Sequence, residues 1–249
     1  MRTRLDAAMV ARGLAASRGE ATDLITAGKV TVSGAPATKA SRLVEPGEPI
    51  VVLAERRWVG RGAQKLEHAL LHFGIDVAGR AVIDAGSSTG GFTQCLLERG
   101  GRLVVAIDVG TNQLHESLRA DPRVVVREKT DIRGVEASSL PGPCSLLVAD
   151  LSFISLVTVM PTLMSLVAPE AGHRTCEMIL LVKPQFEVGR AEAARARGVI
   201  RDEKLRSEAL DRVARCAEGH GGTVVGTCQS PITGSEGNVE FLMHTRLVR

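Results

Sequence analysis

Aromatic side chains are scarce in this sequence of 249 residues, which contains five Phe, one Trp and no Tyr. Recognition of a nucleic acid mainly by stacking bases on rings is therefore excluded, and any such contact has to depend on Arg and Lys. The five cysteines are odd in number, and none lies in a C-x-x-C spacing. This pattern excludes a disulfide framework, so we expect reduced thiols and no metal site.

Two further absences concern secretion and membranes. The first residues, Met1-Arg2-Thr3-Arg4, lack the apolar core of a signal peptide. One stretch, residues 151–169, is uncharged over a length close to the ~20 residues that span a bilayer. Because it contains several Ser and Thr and an internal Pro161, we expect a buried loop and helix packed on a sheet. The sequence therefore predicts a cytoplasmic protein without a membrane partner.

A glycine-rich stretch, Asp84–Thr93, follows a short apolar run and precedes a helix-like segment, which is typical of a strand-to-helix turn. Glycines let a ligand approach backbone N–H groups at the carboxyl end of a strand. The carboxylate of Asp84 repels a pyrophosphate but can hold an ammonium, and the glycine spacing does not fit the dinucleotide fingerprint. S-adenosylmethionine, which carries an ammonium beside its sulfonium, is the predicted cofactor; a purely structural turn is the alternative. The candidate cofactor residues in this turn are Asp84, Gly86, Ser87, Thr89, Gly90, Gly91 and Phe92.

Strands and helices alternate from residue 81 onward, which predicts an α/β fold with a Rossmann-like sheet and helices on both faces. Charged residues close successive apolar runs, and the ends of parallel strands lie along one edge, so we expect these groups to share a cleft. Asp108, followed by Val109, is placed to accept the hydroxyls of a ribose. Asp131 and Ile132 are expected near the adenine. For any single residue, a solvated strand end is the alternative.

Four further charged residues are the candidate catalytic residues: Lys65, Asp150, Lys183 and Glu240. Methyl transfer to a hydroxyl needs an oxygen made partly anionic and held in line with the methyl group. Two lysines near each other disfavour each other's charge, so one of them can act as a base, and the acids can orient the lysines and the hydroxyl. We find no catalytic Pro-Cys motif and no N-P-P-[YF] loop, which argues against methylation of carbon or nitrogen.

The whole basic excess lies at the front of the chain, since residues 1–60 contain nine Lys and Arg against six Asp and Glu, and the remainder contains 22 of each. Two short helices are expected there, the second starting at a capping box of Ser17 and Glu20. A strand and tight turn follow at Gly28–Gly34. This G-K-V-x-V-x-G core resembles the S-four-like RNA-binding domain; a small structural cap is the alternative.

The predicted organisation is an RNA-binding domain over residues 1–55, a basic linker over 56–62 and a catalytic domain over 63–249. Basic residues of the first two segments, with the single Trp, are the candidate RNA contacts. They are Arg4, Arg12, Arg18, Lys29, Lys39, Arg42, Arg57, Trp58 and Arg61.

Six stretches carry a resemblance that covers nearly the whole chain: Arg56–Val59, Arg61–Leu66, Asp84–Thr93, Val148–Leu156, Val182–Gly189 and Gly237–Glu240. Through them the sequence resembles the TlyA (hemolysin A) family of ribosomal RNA 2′-O-methyltransferases, whose catalytic domain is FtsJ-like. The resemblance implies that the four charges are the Lys-Asp-Lys-Glu tetrad of that family and that Lys183 is the base.

The resemblance also implies the partner, a cytidine 2′-hydroxyl in ribosomal RNA. Shorter family members are linked to 23S rRNA alone, and this chain has few residues outside its predicted domains, so we expect the 50S subunit to be the favoured substrate, with 16S rRNA possible. Two other functions compete: a non-catalytic RNA-binding or ribosome assembly factor, and a membrane-lytic hemolysin.

Overall fold

The computed structural model describes residues 2–52, 58–189, 192 and 195–248. Two compact units divide the chain, Met1–Arg57 and Trp58–Arg249. The division falls within the segment predicted as a linker. Trp58 and Val59, from the second half of that segment, pack against an apolar core of the second unit.

The first unit is a small α+β domain. Its helices are α1 (Leu5–Ala11) and α2 (Arg18–Thr26), and its strands are β1 (Thr3–Arg4), β2 (Val30–Val32), β3 (Ala35–Pro36), β4 (Leu43–Val44) and β5 (Ile50–Val52). Strand β2 lies between β3 and β5, while β1 pairs with β4. The side chain of Ser17 accepts the N–H of Glu20, as the capping box predicted, whereas the Glu20 carboxylate accepts the N–H of Ala16.

The second unit contains a seven-stranded sheet flanked by helices. Its strands are β6 (Ala81–Ala85), β7 (Leu103–Ile107), β8 (Val124–Arg127), β9 (Leu146–Ala149), β10 (Thr175–Val182), β11 (Thr223–Gln229) and β12 (Phe241–Val248). Its α-helices include α3 (Gly62–Phe73), α4 (Gly91–Glu98), α5 (Glu116–Arg119), α6 (Leu156–Leu166), α7 (Pro184–Glu187) and α8 (Glu203–Gly219). The strand order is β11-β12-β10-β9-β6-β7-β8, which confirms the predicted Rossmann-like α/β fold.

Strand β12 runs against its neighbours, whereas β6 to β10 are mutually parallel where they pair. In its register with β10, Phe241 at the start of β12 lies opposite Val182 at the end of β10. An antiparallel strand therefore begins at the edge where the parallel strands end. This reversal brings Glu240, which directly precedes β12, to the same rim as Lys183, which directly follows β10.

Each face of the sheet is covered by helices that bury its apolar side chains. One core contains Leu66 and Leu70 of α3 together with Leu96 of α4. The opposite core contains residues of α6 and α8, including Met160 and Val213. The uncharged stretch 151–169 is thus the predicted loop and buried helix. Across the described ranges, no helix combines the length and the apolar character needed to cross a bilayer.

Candidate active site

The turn after β6 brings the backbone of two strand ends unusually close together. Gly86 has a φ of 86°, and a Cβ at this position would lie 2.4 Å from the carbonyl oxygen of Asp150. Gly90 has a φ of 99°, and its Cβ would lie 2.2 Å from Cδ1 of Leu118. Both positions therefore require glycine for conformation and for space. The tight turn leaves the end of β9, where Asp150 lies, open to the cleft.

Asp84 lies behind this turn instead of in the wall of a cavity. Its side chain is fully buried, and Thr93 Oγ1 donates a 2.6 Å hydrogen bond to Oδ2. Oδ1 has no hydrogen-bond partner among the described residues. Burial raises the pKa of the Asp84 carboxyl from 3.8 to about 7, a rise that the Asp150 charge reinforces. The ammonium contact predicted for Asp84 is thus not available directly, and Asp84 holds the helix start through Thr93.

The raised pKa of Asp84 predicts a pH-dependent stability. Between the unfolded pKa of 3.8 and about 7, the folded protein binds a proton that the unfolded chain lacks. The stability is therefore complete below pH 4 and is lost as pH rises to about 7, by at most about 4 kcal/mol. Asp84→Asn lacks this titration, so the stability of the native protein relative to the variant should fall from pH 4 to pH 8 in urea unfolding.

Asp121→Asn is the control for this measurement, because the hydrogen bond from Arg123 lowers the pKa of Asp121. The native protein should gain stability relative to that variant as pH rises through the acid range, the opposite direction. A difference between the native protein and Asp84→Asn that does not change with pH would contradict the assignment of a raised pKa to Asp84.

A cavity of about 570 Å³ lies at the carboxyl ends of β6, β7 and β8. Asp108 is in its wall, and its two oxygens accept the N–H groups of Ser88 and Gly110 at 2.8 and 2.7 Å. Arg133 holds the pKa of Asp131, also in the wall, at about 2, so Asp131 is anionic. The volume suits an adenosine cofactor. Carboxylates can accept its hydroxyl and amino protons, and the apolar Val109 and Ile132 complete the wall.

Two lysine–carboxylate pairs lie in a second cavity of about 320 Å³. Lys183 Nζ is 2.6 Å from Asp150 Oδ1 and donates to Ser152 Oγ at 2.8 Å. Lys65 Nζ is 2.5 Å from Glu240 Oε2. Both lysines are 7% exposed and Glu240 is 3% exposed, so each ammonium is paired inside the protein, as a buried charge must be. The four residues isolated by sequence analysis thus line one site.

The two cavities adjoin, because both are lined by Gly86, Ser88, Asp150 and Ser152. The predicted cofactor residues are divided between them. Gly86, Asp108, Val109, Asp131 and Ile132 line the larger cavity, Gly86, Ser87, Thr89, Gly91 and Phe92 line the smaller one, and Asp84 and Gly90 line neither. A group bound at the junction would face the first cavity on one side and Lys183 on the other.

The predicted RNA contacts have varied surroundings. Arg4 and Arg18 both pair with the buried Asp6, which their hydrogen bonds keep ionised by lowering its pKa. Arg12 donates to the carbonyl oxygens of the loop after β4, and Arg42 pairs with Glu48. Lys39 is exposed and Lys29 is half-buried. In the second unit, Arg61 lines the smaller cavity and Trp58 is half-buried, while Arg57 lies outside the described residues.

Sequence reasoning missed Phe153, which lines the larger cavity beside Ser152. Its ring is 92% exposed, its φ is 63°, and it lies 5.4 Å from the ring of Phe186. Exposure of one of only five Phe in a strained backbone conformation points to a functional position. The buried Glu187 holds this loop, since it accepts hydrogen bonds from Ser155 Oγ and from the N–H of Leu156.

Comparison with known proteins places this geometry in a family. The FtsJ-like methyltransferase model matches residues 58–247, and the S4 domain model matches residues 3–50. The 16S/23S rRNA (cytidine-2′-O)-methyltransferase TlyA of Mycobacterium tuberculosis is 49% identical over 98% of this chain and 90% of its own length. The 23S rRNA (cytidine-2′-O)-methyltransferase TlyA of Campylobacter jejuni is 38% identical over 75% of this chain and 70% of its own length.

A solved structure supports the same relationship. A crystal structure of a Lactococcus lactis protein, 41% identical, matches this chain with a TM-score of 0.73 and covers 77% of this chain and 89% of that one. Fold and site together define a methyltransferase with a Rossmann-like catalytic domain and an N-terminal S4 domain. The chain belongs to the TlyA family, which confirms the predicted membership, and S-adenosylmethionine is the cofactor implied for that family.

Proposed function

We infer that this protein methylates the 2′-hydroxyl of a cytidine in ribosomal RNA, with Lys183 as the general base. The observation that carries the proposal is the pair of buried lysine–carboxylate contacts, Lys183 with Asp150 and Lys65 with Glu240, at the junction of the two cavities. Lys65, Lys183 and Glu240 are each less than one-tenth exposed, and because burying charges costs desolvation free energy, their retention in one small cavity favours a functional role. The names of the relatives, which are rRNA cytidine-2′-O-methyltransferases, support the substrate.

S-adenosylmethionine, when bound, would supply an electrophilic methyl group, and the residues of the larger cavity that would hold it are Asp108, Asp131 and Ile132. A hydroxyl at the junction lies within reach of Lys183, whose amine in the neutral form takes the proton as the oxygen attacks. Asp150 fixes the position of that amine at 2.6 Å and stabilises the ammonium that results. Ser152 accepts a second hydrogen bond from it, so both N–H groups of the neutral amine have acceptors and its lone pair is left for the proton of the hydroxyl.

The second lysine–carboxylate pair, Lys65 with Glu240, acts on the RNA substrate. Lys65 Nζ is held 2.5 Å from Glu240 Oε2, and both residues line the smaller cavity. A fixed positive charge favours the partial negative charge that develops on the attacking oxygen. Phe153 offers the base of the target nucleotide an exposed ring beside this site, and unpaired bases stack readily on such rings. This single ring does not replace the basic contacts expected elsewhere along the RNA.

The test of the proposed function is incubation of the protein with labelled S-adenosylmethionine and unmodified 30S or 50S subunits. We expect incorporation into a cytidine ribose of the 50S subunit, and weak or no labelling of the 30S subunit. Mapping the methylated nucleotide by mass spectrometry distinguishes ribose from base methylation. Equal labelling of both subunits would contradict the expected preference, and labelling of neither would contradict the activity itself.

A basic N-terminal unit should contribute RNA affinity through phosphate contacts. Lys39→Gln removes an exposed charge of that unit, so RNA binding should weaken, and the slope of log K against log salt should decrease by about 0.7 for single-stranded RNA. Fluorescence anisotropy over a range of salt concentrations measures both quantities. Lys204→Gln removes an 83% exposed lysine side chain of α8, outside both cavities, and should leave the slope unchanged. Equal slopes for the two variants would exclude Lys39 from the RNA contact.

A further inference from the structure

A cluster of three metal-binding side chains lies on the outer part of the catalytic unit, among the residues lining neither cavity. It consists of His68 and His72 of α3 and Cys228 of β11, and each offers one ligand atom within 4.8 Å of the other two. It is the one group of three such residues with this spacing in the part of the chain that the structure describes. His72 is exposed and Cys228 is half-buried, so a metal ion can enter from solvent.

The fold holds the three side chains in place. His68 and His72 are four residues apart on a helix, which puts their rings on one face, and the ring centroids are 6.0 Å apart. Cys228 lies opposite Leu242 in the pairing of β11 with β12. The next residue of the helix, Phe73, packs on the ring of His244 in β12 at 5.3 Å. Helix and strand are therefore fixed relative to each other before any metal binds.

We propose that His68, His72 and Cys228 bind one Zn²⁺ ion, with water at the fourth position. Two imidazole nitrogens and one thiolate form the donor set that Zn²⁺ takes in tetrahedral sites with three protein ligands. Binding converts the thiol to a thiolate and releases its proton to solvent, while the imidazoles bind in the neutral form. The expectation of no metal site rested on the absence of C-x-x-C spacing, which says nothing about a helix and a strand that meet only in the fold.

A metal ion at this position would affect the catalytic unit, because its ligands lie on two elements next to the proposed tetrad. Helix α3 also carries Lys65, three residues before His68, and β11 pairs with the strand that Glu240 precedes. Zn²⁺ would join α3 to the edge of the sheet and so fix the helix that holds one member of the catalytic tetrad. Binding to the folded state alone should raise the thermal stability of the protein in a concentration-dependent manner.

The test uses the untagged full chain and Co²⁺ as a spectroscopic substitute for Zn²⁺. We expect one equivalent of Co²⁺ to bind with the near-ultraviolet absorption of a cobalt–thiolate bond, and Zn²⁺ to displace it. His72→Ala changes an exposed side chain and should leave the fold intact, so its circular dichroism should match the native spectrum. Its Co²⁺ affinity should fall by at least about 100-fold, since even indirect partners of a metal contribute 10- to 100-fold.

Cys228→Ser should abolish the thiolate absorption, and Cys228→Ala gives the same information if the serine variant unfolds. The matched control is Cys216→Ser, because Cys216 Sγ lies 3.9 Å from His220 Nδ1 and no third metal-binding side chain joins this pair within the described part of the chain. That variant should keep native Co²⁺ affinity and absorption. Absence of the absorption in the native protein, its persistence in the Cys228 variants or unchanged affinity in His72→Ala would each overturn the proposal. None of these results depends on methyl transfer, so they are independent of the proposed function.

Discussion

Replacement of Lys183 by arginine should reduce methyl transfer by about 10²- to 10⁴-fold, the range that a general base contributes. A guanidinium keeps the positive charge and can still pair with Asp150, but it does not lose its proton in proteins. The variant therefore preserves the electrostatics of the smaller cavity while it removes the proton acceptor. Single-turnover methylation of RNA with labelled S-adenosylmethionine measures the loss.

Two further measurements make this result specific. Cofactor affinity by calorimetry should stay close to the native value, because the residues proposed to hold the cofactor line the other cavity. Lys204→Arg is the matched substitution at a lysine whose side chain is 83% exposed, and it should retain native turnover. A Lys183→Arg enzyme with native turnover would show that another group takes the proton. A variant that binds neither cofactor nor RNA would indicate a structural role for Lys183.

Replacement of Glu240 by glutamine should destabilise the catalytic unit by about 3–5 kcal/mol, because it leaves the ammonium of Lys65 buried without its counter-charge. Lys65 Nζ is 2.5 Å from Glu240 Oε2, and both side chains are less than one-tenth exposed. The space around Glu240 is also tight, since a Cβ on Gly234 would lie 2.6 Å from its Oε1. Urea unfolding at neutral pH gives the change in the free energy of unfolding.

The double variant Lys65→Met and Glu240→Leu separates the contribution of this pair to stability from its contribution to methyl transfer. Replacing both charges with apolar groups of similar size should restore most of the lost stability, because no buried charge is left unpaired. Methyl transfer should remain low in the double variant if Lys65 acts on the substrate. Native methyl-transfer activity in the double variant would show that Lys65 and Glu240 form only a structural contact. If the double variant is no more stable than Glu240→Gln, the unpaired buried charge is not the cause of the lost stability.

The features that sequence predicted best are those fixed locally. The turn at Asp84–Thr93 is specified by an apolar strand, glycines and a helix that follow one another directly in the sequence. The structure contains this turn between β6 and α4. Helix α8 runs from Glu203 to Gly219, and its N-cap is Asp202, whose side chain accepts the N–H of Lys204. Caps and periodicity are properties of neighbouring residues, so no knowledge of the sheet was needed.

The features that the sequence did not predict depend on how strands pair and on the direction of side chains. Glu240 directly precedes β12, and only the antiparallel pairing of β12 with β10 explains its position at the rim. Asp84 was expected to face a ligand, but alternation along a strand does not reveal which face opens to a cavity. Its side chain is turned into the protein towards Thr93. The cluster with Cys228 joins residues more than 150 positions apart, so no spacing rule could find it.

The position of β12 between β10 and β11 sets the time at which this enzyme becomes competent during its own synthesis. Its residues follow every other described element, yet they provide the sole described partner of β11 and bring Glu240 to Lys65. A nascent chain that has been synthesised only as far as β11 still lacks the strand that completes its sheet and the last of the four charges proposed for catalysis. If the four charges act as proposed, a chain that is still being synthesised acquires methyl-transfer activity only after β12 has left the ribosome and paired with β10 and β11.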